Sequence, residues 1–203
     1  MTIFNLDSIS DIELCNVSAS RVSYRGKPAL RLIEQEDGKE SHSIAIISDS
    51  MFKNGVIETE IAGSLLADAP ESMRGFVGIA FRVQPQGSKF ECFYLRPTNG
   101  RAEDQLRRNH ATQYISHPDH PWFKLREENP GVYESYTDLL PDEWTTIKIV
   151  VAGVHAQLFV NGAEQPCLIV NDLKLGEVQG RIALWIGLGT EAHFSDVHVT
   201  PVE

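Results

Sequence analysis

Three of the seven histidines, His110, His117 and His120, fall in one stretch together with Asp104, Asp119, Glu127 and Glu128. His117-Pro118-Asp119-His120 spaces two imidazoles three residues apart, which presents both to one divalent metal ion if the backbone turns at Pro118. Alternatively, either ring can serve as a general base, so His117 and His120 are the candidate catalytic residues. They do not make a recognised zinc signature, so the sequence requires no cofactor and leaves a divalent metal open. A second set, Arg82, Glu91, Tyr94, Arg96, Asn99, Arg101, His110, Trp122 and Trp185, combines flat aromatic rings with paired hydrogen-bonding groups. Such a set stacks on pyranose faces and grips vicinal hydroxyls. A third candidate, Glu58-Thr59-Glu60, puts two carboxylates on one face of a strand, where a solvated surface is the simpler account.

These residues must be held by something, and the alternation of the chain says what. Apolar and polar residues alternate in short runs broken by turn residues, and the i, i+3, i+4, i+7 pattern of an amphipathic helix is nearly absent. The runs predict eleven strands, about Ser20–Tyr24, Ala29–Glu34, Ser43–Ile47, Gly55–Ala62, Gly75–Val83, Phe90–Arg96, Thr145–Val151, Ala156–Val160, Cys167–Val170, Gly180–Ile186 and Ala192–Val199. Turns at Arg25-Gly26-Lys27-Pro28, Glu36-Asp37-Gly38 and Asn161-Gly162 fit hairpins, the last being the type I′ pair. An all-β sandwich of two antiparallel sheets follows.

Two strands carry an unusual second face. In Gly75–Val83 the residues Val77, Ile79, Phe81 and Val83 read as core, leaving Phe76, Gly78, Ala80 and Arg82 on the other side. In Gly180–Ile186 the other side is Arg181, Ala183 and Trp185. Small residues beside an aromatic ring predict a shallow trough. From Pro97 to Asp142 the strand rhythm fails, and a connection this long is usually functional or partly structured. An ordered insertion over one sheet is expected, with about two turns of helix at Ala102–Asn109. Arg107 and Arg108 read as solvated partners of Glu103 and Asp104, and Trp144 as core.

Composition bounds the partners. The chain has 203 residues with 18 Lys and Arg against 28 Asp and Glu, a net charge of -10, so its field repels phosphate backbones and no nucleic acid is expected. No run approaches the ~20 apolar residues of a spanning helix, so no membrane is expected either. Length suits one domain over residues 1–203. Cys15, Cys92 and Cys167 are odd in number and widely spaced, which fits buried thiols in a reducing compartment. The start lacks the basic and apolar regions of a secretory leader, so a cytoplasmic location is expected, or a secreted one if a leader has been removed. Oligomeric state is not legible.

Four segments taken in order carry a resemblance: FKNGVIETEI, RGFVGIAFRV, DEWTTIKIVVAGVHAQLFVNG and GRIALWIGLGTEAHFSDVHV. Over roughly Phe52 to Val199 the chain resembles the concanavalin A-like lectin/glucanase jelly rolls, in particular the bacterial 3-keto-disaccharide hydrolase group and laminin-G-like domains. Its carriers are Glu143-Trp144, Val160-Asn161-Gly162, Gly180–Leu184 and Phe194–Val197, which are structural motifs and bear on fold more than on function. The resemblance implies two antiparallel sheets, one concave, whose groove holds a saccharide or glycoside in many relatives. Retaining glycosidases on this fold carry two carboxylates in a pattern close to E-x-D-x-x-E, about 5–5.5 Å apart, and this chain lacks that pattern. It also lacks a D-x-D-x-D-G calcium loop. Three readings therefore stand: a carbohydrate-binding protein, a hydrolase or eliminase of 3-keto-glycosides in which a metal polarises the keto group, and a protein-interaction domain without sugar affinity.

Overall fold

A computed structural model describes residues 1–35 and 42–202. The strands are β1 (Thr2–Phe4), β2 (Ile12–Cys15), β3 (Val17–Tyr24), β4 (Lys27–Glu34), β5 (Ser43–Ile47), β6 (Gly55–Leu65), β7 (Val77–Val83) and β8 (Phe90–Leu95). They continue as β9 (Thr112–His117), β10 (Glu134–Ser135), β11 (Thr145–Ala152), β12 (His155–Val160), β13 (Leu168–Val170), β14 (Arg181–Ile186), β15 (Thr190–Phe194) and β16 (Val197–Pro201). Two short helices, α1 (Gln105–Asn109) and α2 (Trp122–Glu128), lie between β8 and β10. All pairings are antiparallel, in one sheet ordered β13-β12-β11-β6-β15-β4-β3 and another ordered β10-β9-β8-β7-β14-β5-β2. The remaining two strands join the first sheet, β16 along β6 and β1 along β16.

Period-two alternation builds the core between the sheets. Ile57 and Ile61 of β6, Ile147, Ile149 and Val151 of β11 and Phe194 of β15 meet Val77, Ile79 and Phe81 of β7 and Ile182, Leu184 and Ile186 of β14, all essentially inaccessible. Burying one such side chain contributes about 1.5–3 kcal/mol, so register is strongly fixed wherever one face is buried. Asn161 and Gly162 both hold positive φ, 52° and 71°, as a type I′ turn demands, between β12 and the chain leading to β13. The predicted Glu36-Asp37-Gly38 turn lies outside the described residues.

The expected strand Ala192–Val199 is two strands. Ser195 breaks it by using its own side chain and backbone on β6, accepting from Glu60 N–H at 3.0 Å through Oγ and donating Ser195 N–H to Glu60 O at 3.0 Å. Glu58 and Glu60 face outward from this first sheet, Glu60 held by Lys27 at 2.6 Å, which is the solvated surface their pattern suggested.

The stretch from Pro97 to Asp142 does more than lie over a sheet. It supplies β9, paired with β8 from Phe90↔His117 to Leu95↔Thr112, and β10 beyond it, so it widens the second sheet. Polar residues hid β9, because Gln113 and Ser116 satisfy their side chains internally. The helix shrinks to Gln105–Asn109, capped by Asp104, whose carboxylate accepts from Arg107 N–H at 2.9 Å. No helix among the described residues is long and apolar enough to cross a membrane.

Candidate functional site

The outer face of the second sheet is where the small residues and rings meet. Trp185, Gly78 and Tyr94 stand in register on β14, β7 and β8. Because Gly78 has no side chain, Trp185 and Tyr94 close over it and stack with centroids 4.6 Å apart and planes 27° apart. Phe76 approaches Tyr94 edge-on at 6.0 Å. A cavity of about 760 Å³ opens above this floor, lined also by Met73 and Arg74 from the β6–β7 connection, Leu106 and Arg107 of α1, and Trp122 and Arg126 of α2. A second hollow of about 360 Å³ adjoins it and shares Ile115, Trp122, Trp185, Gly187 and Leu188, with His42, Phe90 and His117 at its far side.

Polar groups around the main cavity are pinned by one another. Arg96, 5% exposed, donates to Tyr94 Oη at 2.9 Å, Gln113 Oε1 at 3.1 Å and His110 O at 3.0 Å. Asn99 donates to the same His110 carbonyl at 3.1 Å and accepts from Arg107 Nε at 2.9 Å. Arg126 forks onto Glu134, with Nη2 to Oε2 at 2.6 Å, and lies 4.7 Å from the Trp122 ring centroid. The other oxygen of Glu134 is 3.2 Å from His110 Nε2. Burial lowers the His110 pKa, Glu134 opposes that, and Arg126 and Arg96 add to it. Burial raises the Tyr94 hydroxyl to about 12, so it is a neutral donor and acceptor.

Of the residues singled out from sequence, Tyr94, Arg96, Asn99, His110, Trp122 and Trp185 all line this cavity. Arg82, Glu91 and Arg101 do not. In β7 the register slips: Arg181 pairs with Val83 but Ala183 with Ala80, so Phe81 and Arg82 together oppose Ile182. This bulge gives Arg82 a φ of 54° and carries its side chain off the outer face. The fully buried guanidinium instead donates to the carbonyls of Lys53, Gly153 and Gly176 and to Asn54 Oδ1. Glu91, also inaccessible, faces the other way on β8, accepting from Tyr114 Oη and from Leu175 N–H, both at 2.7 Å, and burial raises its pKa. Arg101 is exposed and paired with Asp138 at 2.7 Å.

The histidine pair is divided. Ser116 and His120 exchange backbone hydrogen bonds as a β-bridge, so their side chains share one face and His117, the next residue along β9, takes the other. His117 stacks on Phe90 at 4.7 Å and meets His42 edge-on at 4.8 Å, and burial, reinforced by His42, lowers its pKa to about 4. His120 is near Lys124, Lys174 and Glu128. The two rings do not point at a common ion, and no three His, Cys, Asp or Glu among the described residues converge as a metal set.

Arg74, Arg107 and Arg126 are cavity arginines that the sequence did not place in the site. Arg107 is not a solvated partner of an acid; it donates to Asn99 Oδ1 and Thr98 Oγ1. Its i, i+8 spacing from Asn99 crosses a turn that no periodicity marks. Trp144 is half-buried, edge-on to Tyr24 at 5.6 Å, with its Nε1–H donated to Tyr24 O.

No protein-family profile matches the sequence, and no curated protein matches it. Solved structures do. A carbohydrate binding module, CBM66 from Bacillus subtilis, aligns with 94% of this chain and 94% of its own, at TM-score 0.61 and 12% identity. The cellulose induced protein Cip1 aligns with 100% of this chain and 98% of its own, at TM-score 0.61 and 12% identity. The exoplasmic/lumenal domain of VIP36, in a form bound to Ca²⁺ and Man3GlcNAc, covers 98% of this chain and 87% of its own, at TM-score 0.56 and 9% identity. The fold is the concanavalin A-like lectin/glucanase jelly roll. At these identities the likeness is one of fold alone and singles out neither 3-keto-disaccharide hydrolases nor laminin-G-like domains.

Proposed function

We propose that this protein binds a saccharide in the cavity over its second sheet. The observation that carries the reading is the pairing of Trp185, stacked on Tyr94, with Trp122, 43% exposed, on the wall above. Two indole rings lining one cavity suit the apolar faces of pyranose rings, and the pinned Arg96, Asn99 and His110 supply fixed groups for hydroxyls. Support at the level of fold comes from neighbours described as a carbohydrate binding module and as a Man3GlcNAc-bound domain. Nucleic acid and membrane are not among the proposed partners.

The test is saturation-transfer NMR with a panel of oligosaccharides and 3-keto-glycosides, reading binding and product peaks in the same tube. Replacing Trp185 or Trp122 with Ala should weaken binding by about 0.5–1.5 kcal/mol each, roughly 2- to 12-fold in Kd. Full affinity in both variants would overturn the placement, and silence across the panel would favour a protein-interaction role.

A second reading, hydrolysis or elimination of a 3-keto-glycoside, rests on His117 in the adjoining hollow. A ring lowered to about 4 is neutral at pH 7 and so in the protonation state of a base, but weakly basic for the task. Product peaks that vanish in His117→Asn would establish it.

A further inference from the structure

The charge of the cavity runs against the charge of the molecule. The chain carries 28 acids against 18 bases, yet four arginines, Arg74, Arg96, Arg107 and Arg126, line one cavity whose lining holds a single acid, Asp104. Elsewhere the acids are put to use: Arg21, Arg25, Arg31, Arg101 and Arg181 each pair with a carboxylate. Among the described residues Arg74, Arg96 and Arg107 have no carboxylate within ion-pairing distance. Among the described residues Arg74 bonds through Nη1 alone, donating to the carbonyls of Glu71 and Met73 at 2.6 Å. Arg96 and Arg107 are held by the neutral oxygens already described. Glu134 is committed to Arg126 and His110, and Asp104 to the first turn of α1.

Like charges gathered without counter-charges cost free energy, which an anionic ligand would recover. Arg96 and Arg107 each depress the pKa of Arg74, after burial, so the guanidinium groups sense one another. Among the described hydrogen bonds the Nε and Nη2 edge of Arg74 stays uncommitted, a planar fork for two oxygens of an oxyanion, and the Nη1 of Arg107 is left as a single donor group beside it.

We propose that the cavity selects an anionic saccharide, whose carboxylate or sulfate sits among Arg74, Arg96 and Arg107 while a sugar ring lies against Trp185 or Trp122. This rests on the saccharide reading above and adds the class of sugar.

The experiment is calorimetric titration of the full chain with tetrauronides, their neutral tetrasaccharide counterparts, 6-sulfated tetragalactoside, and citrate as a non-sugar anion. Acidic sugars should bind at least about tenfold tighter than neutral counterparts, the margin shrinking as salt rises from about 20 to 200 mM. Arg74→Gln and Arg107→Gln, checked for folding by circular dichroism, should each erase most of the margin, and Arg181→Gln outside the cavity should keep it. A carboxylate site would favour the uronides and a sulfate site the sulfated sugar. Equal binding of neutral and acidic sugars would overturn anion selection and leave the saccharide reading standing. Citrate binding as tightly as the sugar acids would overturn the saccharide part. No binding in any arm would overturn both, and a margin unchanged in the two cavity variants would overturn the arginine assignment.

Discussion

Trp185 and Tyr94 lie on strands that are not neighbours, and they touch because the strand between them presents Gly78 at that row. A Cβ at Gly78 would stand 2.6 Å from Tyr94 Cβ and 2.2 Å from Phe93 O, the second a backbone atom that cannot swing aside. The floor of the cavity is thus a gap in one strand closed by rings from two others.

Gly78→Ala should accordingly destabilise the fold and spoil the floor together. Overpacking of this kind costs about 1–3 kcal/mol, measurable as a lower urea midpoint with an unchanged slope. The stack of Trp185 on Tyr94 would open, shifting Trp fluorescence and weakening saccharide binding. An unchanged midpoint would mean that β7 and β8 shift apart at little cost.

Arg82 separates stability from binding. Its four acceptors belong to three different connections, around Lys53–Asn54, Gly153 and Gly176, so the guanidinium ties loops that share no strand pairing there. Arg82→Met should remove about 3–5 kcal/mol of stability by orphaning buried carbonyls, while the folded fraction keeps its affinity for saccharide. Loss of affinity at full stability would return Arg82 to the binding site.

Glu91 behaves the same way from the opposite direction. Its carboxylate takes one donor from Tyr114, whose hydroxyl in turn accepts from Lys174 N–H at 2.8 Å, and one from Leu175. Glu91→Ala leaves these donors, and Ser116 as a third, without their acceptor, a loss of about 2–5 kcal/mol in chemical unfolding, whereas Glu91→Gln keeps one acceptor and should cost less. Equal losses would argue that shape, not hydrogen bonding, matters at this position.

The fold was legible because burial imposes period two: Ile57 and Ile61, or Ile182, Leu184 and Ile186, announce their face without help. The floor was legible too, since Gly78, Ala80 and Ala183 beside Trp185 are small where a core strand would be large. Arg82 was misplaced because alternation counts residues and a bulge adds one, with no composition signal in Phe81-Arg82-Val83. Spacing in a loop carries no face, so the sequence pairs His117 with His120, whereas the end of β9 and the Ser116–His120 bridge give them opposite ones. Arg74, Arg107 and Arg126 come from three connections whose convergence depends on tertiary packing that no local pattern encodes.

Acid should weaken this protein through its buried imidazoles, and His117 sets the clearest window. An unfolded histidine takes its proton near 6.5, but His117 against Phe90 and His42 holds out to about 4. Between those values the unfolded chain binds more protons than the native one, so unfolding free energy falls as pH falls from about 6.5 and stops falling on this account below about 4. His110, His120 and His193 are lowered as well and add in the same direction. Glu91 acts oppositely: its raised pKa means the folded state holds a proton that the unfolded state releases near 4.5, so it favours folding as pH drops toward that range. Urea unfolding of the parent, of His117→Phe and of Glu91→Gln across pH 4–7.5 separates the two. The Phe variant keeps a ring on Phe90 and loses the titration, so its profile should be flatter than the parent's between about pH 6 and 4. The Gln variant should be steeper there, and parallel curves for parent and His117→Phe would show that the ring is protonated in the native state as readily as in the unfolded one.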